Sequence, residues 1–356
     1  MKDSQWEIIK KAARCEKLDE IPSAMIIDSP WMPGYCGVGT IDFYTDQSIW
    51  LDCYNKVKKD FPEMIPLPDY WVEFGMASES VAFGCRTSFY DYQPTCIQHL
   101  IEDVDELEDL VLPTPDPKTD GFMPLAINYY KRLNAKLKGT DEKIRLVASR
   151  GPLNIASFLL SVPQFCIGVK TNPDEIHAIL EKTTDLVIKW LRAQMEVLDD
   201  VEGILVLDDL CGFFSEEDYM EFAHPYLKRI FDSFDVPVKM FHNDNFGNGY
   251  VTFPHIADLG INIFNFSCYA DINEARKLLG DKVCILGIVP PRDVLVDGTA
   301  EDIEKAVFEQ LDKYGSKSGI ILSAGGGASP GMTYDKFRAF IDAGKKWNEL
   351  HRNDFN

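Results

Sequence analysis

From Gly121 onward the chain alternates short apolar runs with helical stretches, and this alternation restricts the available folds more than any other feature. The runs are IRLVAS, GILVLDD, VPVKMFHN, INIFNFS, KVCILGI and GIILSAG. They are apolar throughout, as parallel strands buried on both faces should be. Between and around them, helices are predicted over 121–138, 153–161, 173–199, 215–232, 250–258, 272–279, 300–314 and 333–349. Repeated strand and helix units build a right-handed parallel α/β sheet, most simply closed into a (β/α)8 TIM barrel. A doubly wound open sheet is the alternative. Against it, no GxGxxG or P-loop follows any strand, and Gly325-Gly326-Gly327 has neither spacing.

Residues 1–120 are predicted to form an N-terminal helical and β-hairpin elaboration packed on the barrel region 121–356, the two making one structural domain. A helix is expected to about residue 20, another over 44–61, and a hairpin over 67–85, where LPDYWVEFGMASESVAFGC alternates apolar and polar residues. The acidic stretch IEDVDELEDLVLPTPDP reads as a short helix ended by prolines.

A formal net charge of -21 argues against nucleic acid or an anionic membrane surface as a partner, because those contacts need clustered Lys and Arg. No apolar run approaches the roughly 20 residues that span a bilayer. The nine cysteines are odd in number and form no CxxC pair, which suits reduced thiols. The N-terminal stretch MKDSQWEIIKKAARCEK is charged and has no secretory apolar core. A cytoplasmic protein is the expectation, and a homo-oligomer is compatible with it.

If the barrel forms, the residues just after each strand converge on one mouth. They are Ser149-Arg150-Gly151, Asp208-Asp209, His242-Asn243-Asp244-Asn245, Asn265 with Ser267, Gly287-Ile288-Val289 and Ser323-Ala324-Gly325. This inventory is rich in oxygen donors and holds one histidine, so it suits a hard or borderline metal, or acid-base work, better than a thiolate site. His242 is the leading catalytic candidate, with Asp208 and Asp209. Those two aspartates are adjacent on a strand end, so at most one faces the interior; the other is free to cap a helix. Asp244, two residues beyond His242, and Glu221, 21 positions before it on the expected helix, are further candidate carboxylates. Trp31, Met32 and Tyr35 are candidate walls for a substrate, with packing against the body as the other reading, and Asn243 joins the substrate-binding set.

From about Gly151 to its end the chain resembles the uroporphyrinogen decarboxylase superfamily, and within it the branch of corrinoid-dependent methyltransferases. The marks are Gly151-Pro152 before a Leu-rich helix, ILVLDD followed by SEEDYMEFAHPYLKRI, VPVKMFHN, LGIVPPRDVLVDGTAEDI, and ILSAGGG before the last helix. Members that decarboxylate the porphyrinogen carry an arginine-rich N-terminal motif, where this chain reads Ser29-Pro-Trp-Met-Pro-Gly-Tyr35 without Arg. Thiol-directed methyltransferases of the family bind zinc through a His-x-Cys pair and a Cys in a Gly-flanked triplet. Here those positions hold His242-x-Asp244 and Gly326. The resemblance therefore implies an O-demethylase type of methyltransferase, which takes the methyl group from a small methoxylated, aromatic compound and hands it to the cob(I)alamin of a separate corrinoid protein. It also implies zinc held by His242, Glu221 and Asp244. The alternatives are a methylcorrinoid-dependent methyltransferase with another substrate or acceptor, and a decarboxylase-like lyase, for which Arg150 is the best mouth cation.

Overall fold

The apolar runs become strands in a computed structural model that describes residues 1–354. The chain forms strands β1 (Ala24–Ile26), β2 (Ile65–Leu67), β3 (Arg86–Ser88), β4 (Cys96–Gln98), β5 (Leu146–Arg150), β6 (Gly203–Leu207), β7 (Val238–Asn243), β8 (Ile263–Phe266), β9 (Cys284–Val289) and β10 (Ile320–Ala324). Strands β5 to β10 lie side by side in sequence order, every pair parallel. Beyond β10 the series continues into β1, through a parallel bridge between Ser23 and Leu322 and a hydrogen bond from Leu322 N to Pro22 O, and β1 pairs in parallel with β2.

Side-chain parity establishes the barrel. One buried apolar cluster takes residues from all eight parallel strands: Ala24 and Ile26, Ile65 and Leu67, Leu146 and Ala148, Leu205, Val238 and Met240, Ile263, Cys284 and Leu286, and Ile321. These positions fall on alternate residues, as the inward face of a closed sheet requires. Trp6, Ile9 and Ala12 of helix Asp3–Ala13 belong to the same cluster and plug the end of the barrel away from the mouth. The intervening residues, such as Val147, Val206, Phe241, Phe264 and Ile285, join the helices in a second, larger core. The fold is thus a (β/α)8 barrel.

Helix ends follow sequence rules. Thr299 and Asp302 form a reciprocal capping box at the start of helix Ala300–Tyr314, and Gly315 ends it in the left-handed region that glycine tolerates. Apolar helices Pro152–Leu160 and Val162–Thr171 turn through 102° between them. Among the described residues no single helix is long and apolar enough to cross a membrane.

The helix expected over 250–258 is reduced to a short 3-10 turn, Phe253–His255, and two further features depart from the sequence reading. Strands β1 and β2 come from the region before residue 121; each is three residues long, too short for periodicity to reveal. The hairpin expected over 67–85 is absent there. Pro68 withdraws a ladder donor directly after β2, and the chain instead enters the short helix Ala77–Ser80. The antiparallel pair is β3 with β4, one segment later.

Candidate active site

Extending the inward parity by one step past each strand predicts the mouth. On β7 the inward residues Val238 and Met240 lead to His242; on β6, Leu205 leads through Leu207 to Asp209; on β8, Ile263 leads to Asn265. The same count puts Asp28 after β1 and Arg150 at the end of β5 on the inner face. Asp208 is out of phase and turns toward the helices.

The contacts agree. Asp209, His242 and Asp244 each offer a ligand atom, and the three atoms lie within 4.8 Å of one another. His242 Nε2 is 3.5 Å from Asp209 Oδ1. Asp209 is held at both oxygens: Oδ1 accepts the Asp244 backbone N–H at 3.1 Å, and Oδ2 accepts from Asn154 Nδ2 at 3.3 Å. Behind the imidazole, Asn265 Nδ2 donates to the carbonyls of Leu286 at 2.6 Å and Ala324 at 2.9 Å, which turns its Oδ1 toward His242 Nδ1 at 2.6 Å. An amide oxygen only accepts, so Nδ1 carries the proton and neutral His242 points the Nε2 lone pair at the two carboxylates.

Electrostatics follow from this packing. Burial disfavours the charged imidazole, but Asp209, Asp244, the Asn265 oxygen and Asp28 outweigh it and hold the His242 pKa above its usual value. Burial also raises Asp244, with Asp209 adding to the rise and His242 opposing it. Asp28 is pushed up to about 7 by burial and by Glu73, against the pull of Arg150 and His242. Two carboxylates around one imidazole call for a shared positive charge, either imidazolium or a divalent cation. Nitrogen and oxygen donors in this number suit zinc or a similar ion with positions left for substrate.

The other expected residues lie elsewhere. Asp208 is fully buried and accepts the N–H groups of Leu153 at 2.9 Å and Asn154 at 3.0 Å, so it caps helix Pro152–Leu160. Glu221 sits on a π-turn, Tyr219–Ala223, with its carboxylate 3.5 Å from His177 Nε2; the helix carries it away from His242. Asn243, one step out of phase with His242, donates to Cys211 Sγ and accepts from Asn245 N. Trp31 and Met32 are buried; Trp31 stacks on Tyr35 and donates to Met332 O, and the Tyr35 hydroxyl donates to Asp60. These contacts match the packing reading of the aromatic stretch. Gly326 does reach the centre, since a Cβ there would lie 3.2 Å from Asp244 Oδ2.

Sequence reasoning overlooked Asp28, Glu73 and Glu79. Asp28 had a signal, because AMII precedes it as the other apolar runs precede their polar ends. Glu73 and Glu79 had none; they come from the loop after β2 and from the short helix Ala77–Ser80 that follows it.

Replacing Asn265 with leucine is expected to lower divalent metal affinity about 10- to 100-fold, the usual cost of losing the group that orients a histidine ligand. Equilibrium dialysis against a chelator checks this. Unchanged affinity would show that the ring needs no such support.

A family model described as uroporphyrinogen decarboxylase (URO-D) matches residues 56–347. The uroporphyrinogen decarboxylase of Pseudoalteromonas translucida (strain TAC 125) is 27% identical over 247 residues, which is 65% of this chain and 66% of that protein. That of Hamiltonella defensa subsp. Acyrthosiphon pisum (strain 5AT) is 28% identical over 262 residues, 70% of this chain and 69% of that one. The match thus spans 66% of the first relative's length, just under two thirds. Among solved structures, a methyltransferase from Methanosarcina mazei superposes with a TM-score of 0.78 at 18% identity, covering 95% of this chain and 97% of that one. A B12-independent methionine synthase from Shewanella sp. W3-18-1 gives 0.57 at 12% identity, covering 94% and 98%. Both structural likenesses concern the fold.

Proposed function

Because this chain belongs to the uroporphyrinogen decarboxylase family, and because its mouth holds an imidazole between two carboxylates, we propose that it is a methyltransferase. In this reading it demethylates a small methoxylated, aromatic compound and passes the methyl group to the cob(I)alamin of a separate corrinoid protein. The observation that carries the proposal is the Asp209–His242–Asp244 centre, with its ring fixed by Asn265. The likeness to the Methanosarcina mazei methyltransferase supports the fold it requires.

The chemical demand is on the leaving oxygen. An alkoxide or phenolate leaves poorly unless it gains a proton or meets a Lewis acid. As the carbon–oxygen bond breaks, the methyl group moves to cobalt and the bonding pair stays on oxygen. His242, its pKa raised by Asp209 and Asp244, is the group placed to give that oxygen a proton from Nε2. Asp209 orients the ring edge, and Asn265 keeps Nδ1 protonated throughout. A divalent ion held by Asp209, Asp244 and His242 Nε2 would take the place of that proton and supply Lewis acidity to the leaving oxygen.

The test is direct. Incubated with cob(I)alamin and a set of methoxyphenols, the protein is expected to produce the absorption spectrum of methylcobalamin together with the free phenol. Absence of methylcobalamin with every methoxylated compound would overturn the reading.

A further inference from the structure

At the barrel mouth, against Asp28 and Arg150, is a cavity of about 350 Å³, at the lower end of the range for small-molecule pockets. Its walls include Asp28, Val38, Tyr44, Met76, Asp91 and Arg150. Asp28 and Arg150 place it at the barrel mouth, since the inward count along β1 and β5 brings both to the face on which His242 ends β7. Trp31 and Met32 of the aromatic stretch are packed into the body, while Ser29, Pro30, Pro33 and Gly34 of the same stretch line this cavity.

Among the described residues lining the cavity Arg150 is the one cation, and it is ion-paired with two glutamates. Arg150 Nη2 donates to Glu73 Oε2 at 2.8 Å, and Nη1 lies 3.5 Å from Glu79 Oε2. Both glutamate side chains are almost fully enclosed, at 3% and 2% exposure. Glu73 also accepts Ser29 N at 2.9 Å, and Ser29 Oγ accepts from the Tyr44 hydroxyl, so the pair fixes the loop that follows β1. Withdrawing the guanidinium from either glutamate would leave a buried carboxylate unpaired, which is strongly unfavourable. An anion entering the cavity would meet Asp28 and Asp91 on the walls and no unpaired cation on the lining, and the positive charge at His242 is balanced by Asp209 and Asp244.

We propose that this cavity is the substrate chamber, and that it admits uncharged or cationic small compounds while excluding carboxylates, with Arg150 serving as a positioning counter-ion rather than a substrate clamp. The inference rests on the methyltransferase reading for its choice of site and deepens it by fixing the charge class of the substrate.

Isothermal titration calorimetry with 4-methoxybenzamide and 4-methoxybenzoate tests it, since the two differ little in shape and by one charge. The amide is expected to bind at least about tenfold more tightly than the carboxylate. Val38→Trp, which fills the chamber, should abolish amide binding, and Glu79→Gln, which releases part of the Arg150 charge, should bring the ratio toward one. Equal or tighter carboxylate binding, no binding of either probe, or an unaffected Val38→Trp variant would overturn the proposal. A folded Glu79→Gln variant with an unchanged ratio would overturn the counter-ion role, and if that variant does not fold, the wild-type ratio and Val38→Trp decide. Absence of methylcobalamin with the ratio intact would overturn the reaction alone; a lost ratio with methylcobalamin formed would overturn the chamber alone.

Discussion

His242→Ala is expected to lower methyl transfer by about 10² to 10⁴-fold, the range that a positioned acid contributes, and to reduce bound divalent metal to background. The geometry supports a loss of function larger than any loss of fold. His242 stands between Asp209 and Asp244, with Nε2 facing the mouth and Nδ1 tied to Asn265. Removing the ring leaves the Asn265 oxygen without its donor, a cost of about 1–3 kcal/mol. That is well below the roughly 5–15 kcal/mol that holds a domain together. It also leaves two carboxylates facing each other without a cation, so Asp244, already raised by burial and by Asp209, should bind a proton more readily. Circular dichroism should be unchanged while turnover and metal content collapse. Activity within a few-fold of the unaltered protein would remove His242 from the centre of the chemistry.

The part of this site that could be read from the sequence is the part that regular strands present. Runs such as VPVKMFHN and GILVLDD end in polar residues, and period-two counting from their inward apolar positions picks out His242 and Asp209. The same count along INIFNFS reaches Asn265, whose importance comes from the carbonyls of Leu286 and Ala324 and so becomes visible only when β8, β9 and β10 lie side by side. Legibility fails where the chain is irregular. Strand β1 is three residues long, so the AMII run before Asp28 is a short signal that is easily passed over, and Glu73 and Glu79 are placed by an irregular loop and the one-turn helix Ala77–Ser80 after β2, whose path no local rule dictates. Glu221 illustrates the opposite error. The family resemblance implied it as a zinc ligand, but the helical segment carrying it turns it to His177. Trp31 and Met32 were attractive as substrate walls for the same reason that they are good core residues, since a large apolar surface serves either purpose.

The neighbouring aspartates at the end of β6 give the sharpest separation of folding from function. Asp208→Asn is expected to destabilise the protein by about 1–3 kcal/mol, because an amide in place of the carboxylate sets an N–H against one of the two helix N–H groups that Asp208 now accepts, and that donor is left buried and unpaired. Nothing nearby can yield to relieve it, for Asp208 packs so closely on Gly151 that a Cβ there would fall 2.2 Å from its Oδ2. Asp209→Asn should behave differently. Its Oδ1 partner, the Asp244 N–H, can still donate to an amide oxygen, and removing one of two facing carboxylates offsets what is lost at Asn154. Stability should therefore change by less than about 1 kcal/mol, while His242 loses the nearer of its anionic partners and the centre loses a ligand, lowering turnover by about 10² or more. Urea titration with turnover measured on the same samples separates the two outcomes. If Asp208→Asn instead lost activity at full stability and Asp209→Asn unfolded, the inward phase along β6 would be displaced by one residue, and with it the assignment of Asp209 to the mouth.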